Sequence, residues 1–369
     1  MVWPGGSMSK GNGSLPVTAI DLFSGCGGLS FGFESSGIKT ELAIDNWPDA
    51  LNTFSRNHPK SRTERFDLGA KNLKPVINSL TDAQIVFGGP PCQGFSISGK
   101  RDPNDPRNLL YRGFFEVVAQ VRPSVFVMEN VPNLASMDGG RLIQEIENDF
   151  KSLGYNLTRK ILLASDFGVP QNRRRLILVG ALSERSFEFP QGTSLLPEEK
   201  VTCKEALSDL PEFSLAEGSI YQIEPESKYQ KLMREFSKGI FNHTTTEHSE
   251  QTVRIISLVP DGGNYKDLPH EFQSTRKVNI AWTRYSSNKP SLTIDTGHRH
   301  HFHYSFNRVP TVRESARLQS FPDSFIFEGS KTSQYKQVGN AVPPFMAKVL
   351  GDSIRQYLDD EKGSMKNAV

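Results

Sequence analysis

Between Val17 and Gly180, short β-branched or apolar runs alternate with amphipathic stretches, and this alternation narrows the fold more than any other feature. It is the pattern of parallel strands joined by crossover helices. Val17-Thr18-Ala19-Ile20-Asp21-Leu22-Phe23 reads as a strand that ends in Ser24-Gly25-Cys26-Gly27-Gly28, with a helix over 29–36 and a second strand over 41–45. Residues 84–87 and 125–129 read as strands with a helix over 108–121 between them. Residues 157–164 and 175–179 read as a β-hairpin. The predicted class is α/β, a doubly wound, mostly parallel sheet.

After about residue 182 the periodicity fades, returning in 311–318 and in a final amphipathic helix over about 344–358. A chain of 369 residues exceeds one ordinary core, so a smaller, irregular domain inserted into the sheet domain accounts for both observations. The expected division is an unstructured leader (1–14), a catalytic and cofactor domain (15–182), an inserted module (183–306), a return segment (307–360) and an unstructured tail (361–369). A net charge of +2 makes no general case for nucleic-acid binding, which must rest on where the charges sit. Three cysteines, Cys26, Cys92 and Cys203, form no paired framework and no metal spacing, which fits a reducing cytoplasm. No metal is expected. No apolar stretch approaches a membrane span, and no signal pattern opens the chain.

The turn Gly88-Gly89-Pro90-Pro91-Cys92 would present a thiol at the carboxyl edge of the sheet, where open α/β folds do their chemistry. Two prolines stiffen that turn. A thiol is a strong nucleophile once deprotonated, although a lone cysteine is often only a small buried hydrophobe. Glu129 closes a strand one βα unit away. Thiol and acid together suit addition to an electron-poor ring, the acid protonating a ring nitrogen, and burial of Glu129 would favour its acid form. A pyrimidine C5 becomes nucleophilic only after such an addition at C6. The glycine turn at 24–28 lets a ligand approach a helix N-terminus, but it lacks the glycines that hold a pyrophosphate. Asp45 stands where ribose hydroxyls are held, Asp67 could take an adenine amine, and Phe23 and Trp47 offer ring faces. An adenosine cofactor without pyrophosphate suggests S-adenosylmethionine; helix N-capping is the plainer role for both acids. Gln171, Arg173 and Arg175 would share one strand face able to orient a carboxylate or bind base oxygens, with Asn172 and Arg174 solvated. Lys100, Arg101 and Arg107 fall in a Gly/Pro-rich stretch that reads as a basic active-site loop or a solvated surface loop.

These segments resemble the cytosine-C5 DNA methyltransferases, most closely the bacterial modification enzymes. Asp21 to Gly28 resembles the family's cofactor turn, Pro90-Pro91-Cys92-Gln93 its nucleophile motif, and Glu129-Asn130-Val131 its acid motif. Gln171 to Arg175 resembles its arginine strand, Arg313 to Pro322 the motif organising the recognition module, and Gln337 to Pro344 its closing motif. Six motifs in order over about two-thirds of the chain carry the resemblance. It implies a methyltransferase-type sheet, with Cys92 adding to C6 of a flipped cytosine and Glu129 protonating N3, while Arg173 and Arg175 serve base and acid. It implies an S-adenosylmethionine site of Phe23, Ser24, Gly25, Gly28, Leu29, Asp45, Asn46, Trp47, Asp67, Leu68, Gly89, Pro91, Asn340 and Val342. DNA contacts would come from Gln93, Ser96, Lys100, Arg101, Gln171 and Arg284. The partner is double-stranded DNA read by the module at 183–306, and the enzyme is a cytoplasmic monomer working beside a separate restriction endonuclease.

In that module Tyr265, Lys266, Arg276, Lys277, Trp282, Arg284, Tyr285 and Lys289 are candidates for phosphate and base contacts. His298-Arg299-His300-His301-Phe302-His303-Tyr304 lacks a cysteine or acidic ligand nearby, so neutral imidazoles at the DNA backbone or a hinge are expected rather than a metal. Competing readings are a tRNA-methylating relative, a catalytically idle DNA-binding relative, and a nucleotide-dependent oxidoreductase. The residues Gln93-Gly94-Phe95-Ser96, the presence of both thiol and acid, and the missing pyrophosphate glycines argue against each in turn.

Overall fold

The computed structural model describes residues 16–70, 72–77, 80, 82–91, 109–273, 282–296 and 301–367. The chain divides into two compact units. A sheet unit runs to Leu163 and resumes over Arg174–Gln191 and Met346–Val369; a second unit comprises Ala164–Arg173 and Gly192–Phe345. This division differs from the expected one: residues 307–345 group with the second unit rather than with the sheet.

The sheet unit holds strands β1 (Val17–Leu22), β2 (Ile38–Asp45), β3 (Arg62–Arg65), β4 (Ile85–Gly88), β5 (Val125–Asn130), β6 (Asn156–Leu163) and β7 (Arg174–Ala181). Helices α1 (Gly28–Ser35), α2 (Pro48–Asn57), α3 (Lys74–Ile77), α4 (Leu109–Val121) and α5 (Arg141–Ser152) connect them. The seven strands lie in the order β3-β2-β1-β4-β5-β7-β6, and β1 to β5 are mutually parallel. β7 runs antiparallel to both β5 and β6, so the expected hairpin is the antiparallel end of the sheet. Strand order reverses between β1 and β4, and a sheet of this kind opens a crevice at the carboxyl ends of those two strands. Leu22 pairs with Gly88 there. A Cβ at Gly88 would stand 1.9 Å from the Leu22 carbonyl oxygen, so only glycine allows the strands to close.

Alternate strand residues feed two cores. Ile20, Leu22, Ile44, Val86, Phe126 and Met128 pack with the α4 and α5 side chains Phe114, Val118, Ile146 and Phe150. On the other face Phe33 of α1 meets Phe87 at 4.6 Å between ring centroids. The C-terminal helix, Pro344–Asn367, packs on α1: the Ser36 hydroxyl donates to the Lys348 carbonyl at 2.8 Å, and Arg355 donates to the Ser36 carbonyl at 2.9 Å. It continues to Asn367, where an unstructured tail had been expected from residue 361.

The second unit is built from short pieces: α6 (Cys203–Leu207), α7 (Lys228–Arg234), α8 (Glu250–Ser257), α9 (His270–Gln273), the pair β8 (Thr283–Arg284) and β9 (His301–Phe302), α10 (Val312–Leu318) and α11 (Lys331–Asn340). Its centre is α10, every residue of which is buried despite three charges. Arg317 donates to both oxygens of Asp323 at 2.8 and 2.6 Å and also to Asp209, while Arg313 donates to the carbonyls of Phe241, Pro322 and Phe325. Glu314 takes a bidentate pair from Arg308 at 2.7 and 2.8 Å and closes a capping box with Thr311. Irregular backbone leaves carbonyls unpaired, and arginine forks satisfy them.

His303 lies against this cluster, wholly buried. Its Nδ1 accepts from the Ser305 and Phe306 amides at 3.1 and 3.0 Å, so the ring is neutral and cannot serve as the DNA-backbone contact expected of it. Burial pushes the His303 imidazole down to about 4 from 6.5. Burial alone would push Glu314 up, but His303 and the Arg308 guanidinium outweigh it and hold the carboxyl at about 2, against an ordinary 4.5. Both shifts act in the same direction. The unfolded chain binds these protons first, so stability is complete above about pH 6.5 and is lost progressively as pH falls through 4 toward 2. We expect His303 alone to contribute on the order of 3 kcal/mol between neutral pH and about pH 4. Urea midpoints across that window should fall, and they should fall less in His303→Asn.

Candidate active site

Two strand ends carry the candidate chemistry of the sheet unit. β4 leads into Gly89-Pro90-Pro91, and the Asn130 amide, at the end of β5, donates to the Pro90 carbonyl at 2.9 Å. The Asn130 carbonyl oxygen meanwhile accepts from Val131 N at 2.9 Å, so the side chain is held at both ends. Beside it Glu129 is 9% exposed, and its Oε1 is 2.6 Å from Nε of Arg175 on β7. A Cβ on Gly89 would come within 2.8 Å of Glu129 Oε2, so the glycine lets the acid lie close against this turn. Burial of Glu129 was expected. Cys92, Gln93, Ser96, Lys100, Arg101 and Arg107 lie outside the described residues, as do Arg276, Lys277, His298 and His300.

The glycine turn follows β1. Phe23, Gly25 and Gly27 have φ of 56°, 53° and 93°, the left-handed region that glycine adopts readily and phenylalanine does not. Asp45, ending β2, accepts from the Gly25 amide through Oδ2 and from the Trp47 amide through Oδ1, both at 2.8 Å. Burial raises the Asp45 carboxyl from its ordinary value, and those backbone hydrogen bonds oppose the rise. Asp45 therefore braces the turn and does not cap a helix. Asp67 is exposed and accepts from the Gly69 amide at 2.9 Å in a local turn, with Leu68 buried next to it. Ser24, Gly28 and Leu29 are buried, Trp47 and Gly89 half-buried, and Asn46 and Pro91 exposed.

In the second unit the structure corrects three expectations. Gln171 and Arg173 precede β7 and do not share a strand face with Arg175. Gln171 is wholly buried; its amide donates to the Leu318 carbonyl at 3.2 Å and to Gln319, and its oxygen accepts from Ile294 N, so it is not offered to DNA. Arg173 is 1% exposed and donates to the Gly339 carbonyl at 2.7 Å, which anchors the closing segment. Arg284 donates to the carbonyls of Ile256, Val259, His303 and Phe306 and to Asn307, and this removes it as a DNA contact. Tyr285 is also buried, whereas Lys266 and Lys289 are exposed. Of the cofactor candidates in this unit, Asn340 is exposed and Val342 buried. Arg174 and Asn172 are exposed, as solvated positions should be.

Residues 17–356 match the family of C-5 cytosine-specific DNA methylases. The chain belongs to that family. It is 37% identical to the type II methyltransferase M1.HphI of Haemophilus parahaemolyticus, over 94% of this chain and 89% of that protein. It is 36% identical to M.DdeI of Desulfomicrobium norvegicum, over 93% and 90% respectively. Among solved structures, an Escherichia coli prophage protein described as a DNA modification methyltransferase superposes with a TM-score of 0.76 at 26% identity, covering 93% of this chain and 99% of that one. As a cytosine-C5 DNA methyltransferase, the chain uses S-adenosylmethionine as methyl donor.

The glycine turn fits that cofactor. Ser24 Oγ is buried with no hydrogen-bond partner among the described residues, and the space where a Gly25 Cβ would stand is open. No side-chain cap from Gly27 covers the N-terminus of α1, where the positive end of the helix dipole suits an anionic group. Asn130 is the site residue to which sequence reasoning gave no role, although it stands in the acid motif Glu129-Asn130-Val131. Asn130→Ala should lower kcat for methyl transfer at least about tenfold, because the Pro90 carbonyl loses its donor, and leave cofactor affinity within about threefold. Steady-state kinetics together with a cofactor binding titration would check this.

Proposed function

We propose that this methyltransferase modifies one cytosine within a short, specific double-stranded DNA sequence, as the modification half of a restriction–modification system. The observation that carries this reading is the Glu129–Arg175 pair, set against the Gly89-Pro90-Pro91 turn that leads directly to Cys92. Cytosine C5 and C6 are inaccessible in a stacked duplex, so the base must be flipped out before any of these groups can reach it. Cys92 would add as thiolate to C6 while Glu129, oriented by Arg175, gives a proton to N3 and relieves the charge that develops. The resulting enamine is nucleophilic at C5. S-adenosylmethionine, held by Phe23, Ser24, Gly25, Asp45 and Trp47, would supply an electrophilic methyl group. With S-adenosylhomocysteine released, loss of the C5 proton to a base, return of the N3 proton to Glu129 and expulsion of the Cys92 thiolate would restore the aromatic base. The enzyme would work as a cytoplasmic monomer, with any cognate endonuclease acting separately on the same sequence; the relatives named above are type II methyltransferases.

Unmethylated genomic DNA incubated with protein and cofactor, then mapped by bisulfite sequencing, should show 5-methylcytosine confined to one short motif. Methylation of tRNA with none of DNA would overturn the assignment. Cys92→Ser should abolish turnover and leave cofactor binding near normal. DNA carrying 5-fluorocytosine at the target should trap a denaturant-stable adduct, because the C5 substituent cannot leave as a proton.

A further inference from the structure

Asp21 sits in β1 on the face of the sheet that α1 covers, and it is 1% exposed. Ser30, in the first turn of α1, donates its hydroxyl to Asp21 Oδ2 at 2.6 Å, and Thr40 of β2 donates to Ser30 Oγ at 3.3 Å. Ser30 and Thr40 are as fully buried as the acid. Among the described residues no cation pairs with this carboxyl. The charges acting on it are those of Asp45 and Glu34, and Glu34 is itself engaged by His58 at 2.8 Å. Cys26, in the same turn, stays a neutral thiol, since burial pushes it up to about 12. Asp45 differs from Asp21 in one respect: both of its oxygens accept backbone N–H groups, at Gly25 and Trp47. Where two neighbouring carboxyls are desolvated, the proton settles on the one with fewer donors to its charged form.

We propose that Asp21 is a positioning residue of the cofactor turn that acts in its neutral, proton-bearing form, fixing the first turn of α1 through Ser30 and leaving the negative charge of the turn to Asp45. The inference rests on reading the glycine turn as the S-adenosylmethionine site. Burial pushes the Asp21 carboxyl well above the ordinary carboxylate range; the Ser30 hydrogen bond opposes this, and Asp45 and Glu34 add to it. An ionised Asp21 would place a second charge beside Asp45 in a water-poor setting, a cost that the one Ser30 hydroxyl donated to it offsets only in part. A neutral acid costs far less to bury and keeps the hydroxyl contact.

Infrared difference spectroscopy of the full-length protein, without cofactor at neutral pH, tests the protonation state directly. The carbonyl stretch of a protonated carboxylic acid should be present in the wild type and absent from Asp21→Asn. Equilibrium binding of S-adenosylmethionine supplies the functional arm. Asp21→Asn, which mimics the neutral acid, should bind within about threefold of wild type. Asp21→Ala and Ser30→Ala should bind at least about tenfold more weakly. A spectrum that keeps its acid band in Asp21→Asn, or a folded Asp21→Asn that binds as weakly as Asp21→Ala, would overturn the proposal. If Asp21→Ala does not fold, Ser30→Ala and the infrared arm still decide. A wild type that binds no cofactor would refute the functional reading, while the infrared result would still report on Asp21.

Discussion

The parallel pairing of β1 with β4 is the constraint on which the active edge of the sheet depends. At its end the Leu22 carbonyl occupies the space where a side chain on Gly88 would begin. Because β1 is flanked by β2 on one side and β4 on the other, the turns that leave β1 and β4 diverge there. One turn is glycine-rich and braced by Asp45; the other is proline-stiffened and braced by Asn130. On its other edge β4 pairs with β5, and that pairing sets Gly89 against Glu129.

The second unit reaches order by a different route. It has few long helices and little sheet, so its backbone cannot satisfy itself. Arginines supply the missing donors from inside. Arg284, Arg308, Arg313 and Arg317 all lie buried with their guanidinium groups divided among carbonyls and carboxylates. Buried ion pairs of this kind contribute little net stability relative to well-packed apolar residues, but loss of one partner strands the other charge and is costly. Such a network specifies one arrangement of loops more than it deepens the energy of the fold. Its carboxylate–imidazole portion, Glu314 with His303, also ties the unit to neutral pH.

Much of the sheet unit was legible before any coordinates. Strand runs, the crossover helix over α4 and the terminal hairpin follow from hydrophobic period, because a buried parallel strand needs apolar residues on both faces. Glu129 and Arg175 were legible for the same reason: each lies at a strand terminus, where register dictates position. Gln171 and Arg173 were misplaced by extending that strand three residues too far toward the N-terminus. Arg284 was misplaced because a basic residue in a polar stretch looks the same whether its guanidinium faces a phosphate or five oxygens of its own unit.

The sequence by itself determined the α/β class, the family, and the order of the chemical groups along the chain. Local period, turn residues and motif spacing are encoded within a few residues of each position, so they survive without a fold. Only the tertiary structure decided which polar side chains are spent internally. Asn130 under Pro90, Arg173 under Gly339 and Arg317 against Ala206 pair with residues distant in the chain, and Asp21 meets Ser30 only because α1 folds back over β1. Whether a charge is used for binding or for holding the protein together depends on what it meets in space, and spacing along the chain carries no record of that.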